Sequence, residues 1–332
     1  MMMRVRPLLH VSYLVRLLGS VVCVFALHAS ADAQTRQPVA GTTVSLVPMR
    51  GFVPATGFAG FANEPLQASV LVAELPAEAH PQLAPLFADV EAARTRFATQ
   101  GIRITAREEI ETAAGRVPLL VGTQGVAGEP YSKWIAVYKG AKTVMITVQA
   151  PERASLDTAA VKTMLASVSL GAAPTLSDKL AALPFAIDPR APFRVVDTLG
   201  GSGVLMVVGD LDLDPAGAQP MLIVAYQVSA MPALALDAAA EWLLKQTKEF
   251  EAAQIETREQ TSFAGSAGVL LSGTYAPKGT SKRFAQYMAI GDNGRFIRMI
   301  VSADARAFAE LQPTIAAIAK SIVLKGPAGI AR

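Results

Sequence analysis

Laid over itself with an offset of 154 residues, the chain matches without a gap from Gly140 to Leu170. Gly140 then faces Gly294, Met145 faces Met299, Ile146 faces Ile300, Val161 faces Ile315, Met164 faces Ile318, Ser167 faces Ser321, Val168 faces Ile322 and Leu170 faces Leu324. Many strand-turn-helix units share apolar spacing of this kind. The match gains weight because the segments before it also keep their order in both halves.

In the first half, strands are predicted near Thr43 to Val47 and Ser69 to Leu75, rich in Val and Leu and bounded by Pro and Gly. One helix follows, with Leu83, Leu86, Phe87, Val90, Ala93 and Phe97 on a single stripe. Strands at Arg103 to Glu111, Val117 to Thr123, Lys133 to Tyr138 and Thr143 to Val148 come next, then a helix with Val161, Met164, Leu165 and Val168 on one face. The second half repeats this with strands at Phe193 to Asp197, Val204 to Val208 and Met221 to Val228, and a helix carrying Trp242, Leu243 and Phe250 on its apolar side. Strands at Ile255 to Thr261, Gly268 to Tyr275, Arg283 to Ile290 and Arg295 to Ser302 precede a closing helix that presents Phe308, Leu311, Ile315, Ile318 and Ile322. The expected fold class is therefore α+β, two repeated units, each an antiparallel β-sheet packed with two α-helices. The units are placed at residues 38–170 and 185–325, with a linker at 171–184 whose Leu176, Leu180 and Leu183 suit a short docked helix. Each unit is large enough to bury a core of its own.

Residues 1–33 read as a signal peptide. Arg4, Arg6 and Arg16 form a basic region, Leu17 to Ala29 an apolar run too short to span a bilayer, and Ala31-Asp32-Ala33 a small-x-small cleavage site. Val22 before Cys23, and the apolar residues after it, argue against a lipid anchor. Removing the leader takes away Arg4, Arg6, Arg16 and Asp32, so a formal charge of +3 falls to +1, and it takes away the single cysteine as well. The expected protein is periplasmic or secreted, without thiols to misoxidise and without stable membrane insertion. No Lys/Arg run exceeds Lys282-Arg283, so a nucleic-acid footprint is missing.

The chemistry-bearing motifs are few. His80 is the one histidine outside the leader and stands in a helix-entry loop before Pro81, so Cys/His zinc sites are excluded and a histidine-based triad has a single candidate base. Asp210, Asp212 and Asp214 alternate like the opening of a calcium loop, but Pro215 and Met221 occupy the positions that need glycine and glutamate. A strand end with solvated carboxylates is the simpler reading. Gly200-Gly201-Ser202-Gly203 is followed by a strand rather than a helix, which suits a hairpin turn and not a phosphate cradle. That segment and Ser266 each miss the GxSxG pattern by one glycine.

Aromatic residues supply the candidate contact surface. Phe52, Phe58 and Phe61 each follow a glycine in one short segment, and Tyr131 and Trp134 lie near Gly128, with Phe284 and Tyr287 in the corresponding strand of the second half. Exposed together they would form a patch suited to a protein partner. The alternative, burial under the sheet, is the more usual fate of such residues.

The order of elements resembles the PsbP/Mog1-like α/β sandwich, present twice and covering about Thr42 to Leu324. The segments LVPMRGFVPATGFAGFANEP and ASVLVAELP, with LPF at Leu183 to Phe185 and LGGSGV at Leu199 to Val204, are similar to those of a group of uncharacterised bacterial exported proteins. This resemblance implies a non-catalytic binding or assembly module contacting an envelope protein or ligand, without a cofactor and without catalytic residues to carry over. A hydrolase using carboxylate or serine chemistry is the competing expectation, since carboxyl pKa values depend on burial.

Overall fold

The computed structural model describes residues 35–126, 128–212, 214, 216–227, 234–290 and 295–325. The expected leader at 1–33, the start at Gln34, Val228 and the Gly294 that pairs with Gly140 lie outside the described residues. No described helix is long and apolar enough to cross a membrane.

The first half runs β1 (Gln37–Pro38), β2 (Val44–Leu46), β3 (Val53–Pro54), β4 (Gly60–Asn63), β5 (Ala68–Leu75), α1 (His80–Ala88), α2 (Val90–Ala98), β6 (Ile102–Thr112), β7 (Gly115–Val126), β8 (Glu129–Lys139), β9 (Thr143–Pro151), α3 (Thr158–Ala166) and β10 (Ser169–Leu170). The second half, after α4 (Leu176–Ala182), runs β11 (Phe185–Ala186), β12 (Arg194–Leu199), β13 (Gly203–Val207), β14 (Met221–Tyr226), α5 (Leu236–Lys245), β15 (Gln254–Phe263), β16 (Ser266–Tyr275), β17 (Lys282–Ile290), β18 (Phe296–Ala303), α6 (Ala305–Ser321) and β19 (Val323–Leu324). Two seven-stranded antiparallel sheets result, ordered β3-β4-β5-β9-β8-β7-β6 and β12-β13-β14-β18-β17-β16-β15. Strand for strand the orders are the same. In each half a short strand before the sheet also pairs with the one after the last helix, Val44 with Leu170 and Phe185 with Leu324.

Both faces of each sheet are covered by helices. Val161, Met164 and Leu165 of α3 pack on Ile146 and Val148, while Phe87, Ala93 and Phe97 of α1 and α2 pack on Ile135 and Val137 opposite. In the second half Ile315 and Ile318 of α6 pack on Met299 and Val301, and Ala239, Ala240 and Leu244 of α5 pack near Phe284 and Ile300. Every hydrophobic cluster among the described residues draws on one half alone.

These packings correct the register of the repeat. In the helices the offset of 154 holds, since Val161, Met164 and Leu165 occupy the places of Ile315, Ile318 and Ala319. In the strand before them it is 153. Ile146 faces α3 together with Val148, but Ile300 faces α5, and the residue facing α6 in its place is Met299. Pairing Met145 with Met299 and Ile146 with Ile300 therefore puts each side chain on the wrong face, the effect of a one-residue slip in a period of two. Earlier strands are related by 151, as Ile104 pairs with Gly122 where Ile255 pairs with Gly273. The change to 153 comes from the number of residues between the next two strands, 140–142 in one half and 291–295 in the other.

Two further expectations change. The single first-half helix is two, because Asp89 turns extended and caps α2 by accepting the Glu91 N–H at 2.8 Å. Trp242 points outward, 44% exposed, because the buried stripe of α5 runs through Ala239, Ala240 and Leu244, while Phe250 is buried beyond the helix end. Within 171–184 a short helix forms and docks, as Leu180 and Leu183 suit. Thr175 and Asp178 form a capping box at the start of α4, Lys179 binds Asp197 at 2.7 Å, and Leu180 and Leu183 join the second core.

Candidate functional site

The aromatic contact surface does not form from the residues proposed for it. Phe52, Phe58, Phe61, Trp134 and Phe284 are buried, while Tyr131 and Tyr287 are half-buried, Tyr287 lying against Phe263 with ring centroids 5.7 Å apart. The glycine-rich segment makes the β3–β4 hairpin, paired to β5, and this alternation turns Phe61 into the core. Around Gly57 it meets the second half instead of solvent. A Cβ on Gly57 would stand 2.9 Å from the Tyr226 ring, and one on Gly201 would stand 2.6 Å from the Ala59 Cβ. The Gly200-Gly201-Ser202 segment is the β12–β13 hairpin turn, with both glycines at positive φ, and its packing on Ala59 closes it to a phosphate.

The carboxylate series is committed to its own surroundings. Asp210, Asp212 and Asp214 lie beyond the end of β13, in a connection and not on a strand end. Asp212 accepts from Arg194 at 2.6 Å, and Asp214 accepts the N–H groups of Gln219 at 2.7 Å and Ala216 at 3.0 Å. The Gln219 N–H foremost, with those of its neighbours, holds the Asp214 carboxyl below the usual carboxylate range. His80 is the first residue of α1 rather than a loop residue, and borders an open groove with Arg107, Glu109 and Arg116. Among the described residues no hydrogen bond joins it to a serine or carboxylate, and no group of His, Cys, Asp or Glu has metal-binding spacing.

What the sequence did not single out is a row of side chains across the first sheet. Gly122, Lys133, Gln149 and Ser69 stand side by side on β7, β8, β9 and β5, on the face that carries α2. Lys133 is 8% exposed and donates to the Gln149 Oε1 at 2.7 Å. Lys133, Gln149 and Ser69 floor a cavity of about 300 Å³, with Gln100, Gln124 and Thr147 as further polar walls and Phe97, Ile102, Ile135 and Met145 as apolar ones. No acidic residue lines it. Burial pushes the Lys133 ammonium below its ordinary pKa, the sign of a charge whose lost hydration is poorly replaced.

The second half holds a cavity in the corresponding place. There the row reads Gly273, Phe284, Ser302 and Met221. Phe284 replaces the lysine and packs edge-on to Phe250, which stacks on Tyr275 with centroids 4.1 Å apart. Beside this plug lies a cavity of about 290 Å³, lined by Met221, Tyr275 and Ser302, the counterparts of Ser69, Gln124 and Gln149. It too has one buried lysine, Lys282, 8% exposed and at the position of Tyr131. Where Lys133 has the Gln149 amide oxygen, the Lys282 ammonium donates to the Gly217 carbonyl, and Asp212, Asp214 and Glu249 line the same cavity. The residues that supply these oxygens belong mostly to the connection at 208–220 between β13 and β14. The first-half counterpart, between β4 and β5, is only 64–67 and sends no residue to its cavity.

Lys133 was legible as a strand residue, and its alternation with Ile135 and Val137 was a signal that it points inward. Gln149 and Gln124 carry no such signal until the strand register is known.

No protein-family model matches the sequence, and no curated protein matches it. Among solved structures, LpqN, involved in cell envelope biogenesis of Mycobacterium tuberculosis, is similar at 14% identity with a TM-score of 0.33, over 43% of this chain and 84% of that one. The immunity protein TplEi of the T6SS from Pseudomonas aeruginosa is similar at 10% identity with a TM-score of 0.32, over 88% of this chain and 98% of that one. PA94 from Pseudomonas aeruginosa, of unknown function, is similar at 15% identity with a TM-score of 0.30, over 38% and 85%. Likenesses at these scores carry no argument about what the chain binds.

Proposed function

We propose that the protein is a non-catalytic binding module of the cell envelope, exported by its leader at residues 1–33, and that the first-half cavity around Lys133 holds its ligand. One observation carries this reading. The two halves share a fold and a cavity with a buried lysine, yet only in the second does the chain itself supply that lysine with oxygen from a covering connection and with carboxylates nearby. Burying a cation without an acid costs stability unless something else compensates it. A ligand with a carboxylate or main-chain oxygen adds to the Gln149 acceptor the partner that the cavity lining does not provide.

The repeated order of strands and helices supports the PsbP/Mog1-like reading of each half, and with it a role in contact rather than turnover. A hydrolase needs an acid or base poised between protonation states. Asp214 instead has its carboxyl held below the usual range by N–H groups of its own loop, with its oxygens engaged by Gln219 and Ala216.

The test is a ligand-observed NMR screen of the mature chain against small carboxylates, amides and esters. The expected hits lose binding in Lys133→Met and stay chemically unchanged on incubation. Hits indifferent to Lys133 would overturn the site, and hydrolysis of a bound ester would bring back the enzyme reading.

A further inference from the structure

The second half shows how this fold satisfies such a lysine. The described residues of its connection at 208–220 line the cavity, bringing the Gly217 carbonyl to Lys282 and placing Asp212 and Asp214 on the wall. The segment is held as a turn by Asp214, which caps the N–H groups of Ala216 and Gln219, while the Gln219 side chain donates to the Leu211 carbonyl at 2.8 Å. It is thus a short acidic peptide laid on the sheet beside an inward-facing lysine. In the first half the corresponding connection, 64–67, stops short, and the floor of Ser69, Lys133 and Gln149 is left without such a segment.

Resting on the reading of this cavity as the ligand site, we propose that its occupant is an acidic peptide segment of a partner protein, lying over the first sheet as residues 208–220 lie over the second and giving Lys133 a main-chain or carboxylate oxygen. Three features favour a peptide. The cavity is positively charged without a balancing acid, and charge complementarity selects the opposite sign in a partner. Its walls carry side-chain amides at Gln100, Gln124 and Gln149, each able both to donate and to accept, which suits peptide groups. Leu71, Phe97 and Met145 leave apolar wall for a side chain such as leucine.

The probe is a fluorescein-labelled peptide with the sequence of residues 208–220, titrated by anisotropy into the full mature chain. A second peptide carries Asn in place of the three aspartates, and hexanoate serves as a small carboxylate. Lys133→Met removes the charge and Thr147→Phe fills the cavity from a half-buried position, so two independent variants report, each accepted only if it melts cooperatively. The expected result is saturable binding, weakened about tenfold or more in both variants, the scale of one charge-assisted hydrogen bond, and weakened also by the Asn substitutions. Peptide binding indifferent to both variants would overturn the proposal. Lys133-dependent binding of hexanoate without the peptide would make the occupant a free small carboxylate, overturning the peptide while keeping the cavity. Failure of both probes at millimolar concentration would overturn the cavity as a ligand site altogether.

Discussion

Ser167 and Ser321 hold the same place in the two halves and make the same two hydrogen bonds. Each hydroxyl donates to the carbonyl three residues earlier, Met164 at 2.6 Å and Ile318 at 2.7 Å. Each also accepts a backbone N–H from the segment just past the first paired strand, Val47 at 2.8 Å and Asp188 at 3.0 Å. The hydroxyl thus closes the last helix and ties the entry of the unit to its exit.

Replacing either serine by alanine strands a backbone N–H and frees a helix-end carbonyl. A loss of about 1–2 kcal/mol is expected from Ser167→Ala and from Ser321→Ala. Urea midpoints at unchanged m-value provide the check. A change under about 0.3 kcal/mol at either site would mean that the tie does not contribute to stability.

Gly122 and Gly273 form a second matched pair, each opposite a bulge, between Ile104 and Ala106 in one half and between Ile255 and Thr257 in the other. The bulge pushes a carbonyl over the facing strand. A Cβ would stand 2.4 Å from the Arg103 oxygen at Gly122, and 1.9 Å from the Gln254 oxygen at Gly273. Backbone must move to admit it. Alanine is expected to cost about 1–3 kcal/mol at each position, more at Gly273. Thermal melts of the two variants test the order.

How far the sequence could be read follows from such pairs. Ser167 and Ser321 stood out at an offset of 154, because a helix buries one stripe and its apolar residues report which way it faces. In β9 and β18 both faces are covered, so Met145 and Ile146 are equally apolar while facing opposite layers, and composition does not reveal the register. The one-residue shift there, together with the two extra residues between β17 and β18, hid the equivalence of Lys133 and Phe284, and with it the two cavities. The phenylalanines after Gly51, Gly57 and Gly60 misled for a related reason. Glycine-rich sequence suggests a loop, but at Gly60 a Cβ would fall 1.8 Å from the Val70 oxygen, so the glycine there serves close strand pairing.

Lys133 makes a prediction about pH. Its folded-state pKa lies below the ordinary 10.5 because burial disfavours the ammonium. Between the folded and the unfolded value the unfolded chain therefore binds more protons, and stability rises with pH across that window; below it the whole cost is present. Lys133→Met should stabilise the protein by about 1 kcal/mol at neutral pH, a modest figure because Gln149 and solvent still serve the ammonium. The advantage should shrink as the pH climbs toward 10.5. Denaturation of both proteins at several pH values gives the answer, and a constant difference would show that the lysine is not titrating in the fold.

The last prediction concerns the independence of the halves. Among the described residues, contacts between them include Ala59 beneath the Gly201 turn, Gly57 against Tyr226, α4 over Gly41, Lys142 near Asp197 and a Glu64–Arg295 pair at 3.9 Å. None of the hydrophobic clusters crosses from one to the other. Each half should therefore unfold as a cooperative unit when expressed alone, as duplicated domains of this size do. Where the second begins is decided by α4, since Leu180 and Leu183 pack on its core, Lys179 holds Asp197, and Thr175 caps the helix. Burial raises the Asp197 carboxyl, but the Lys179 ammonium, the Thr198 N–H and the more distant Lys142 of the first half outweigh it and leave the carboxyl below the usual range. Fragments 35–172 and 173–326 are thus the pair to make, with 185–326 as the control that lacks α4. We expect cooperative melts from the first two and a loss of about 2–4 kcal/mol in the control, from the apolar surface that Leu180 and Leu183 no longer cover. A fragment 173–326 without near-ultraviolet circular dichroism, regaining it only when mixed with 35–172, would show that the halves fold as one body and that the linker does not separate domains.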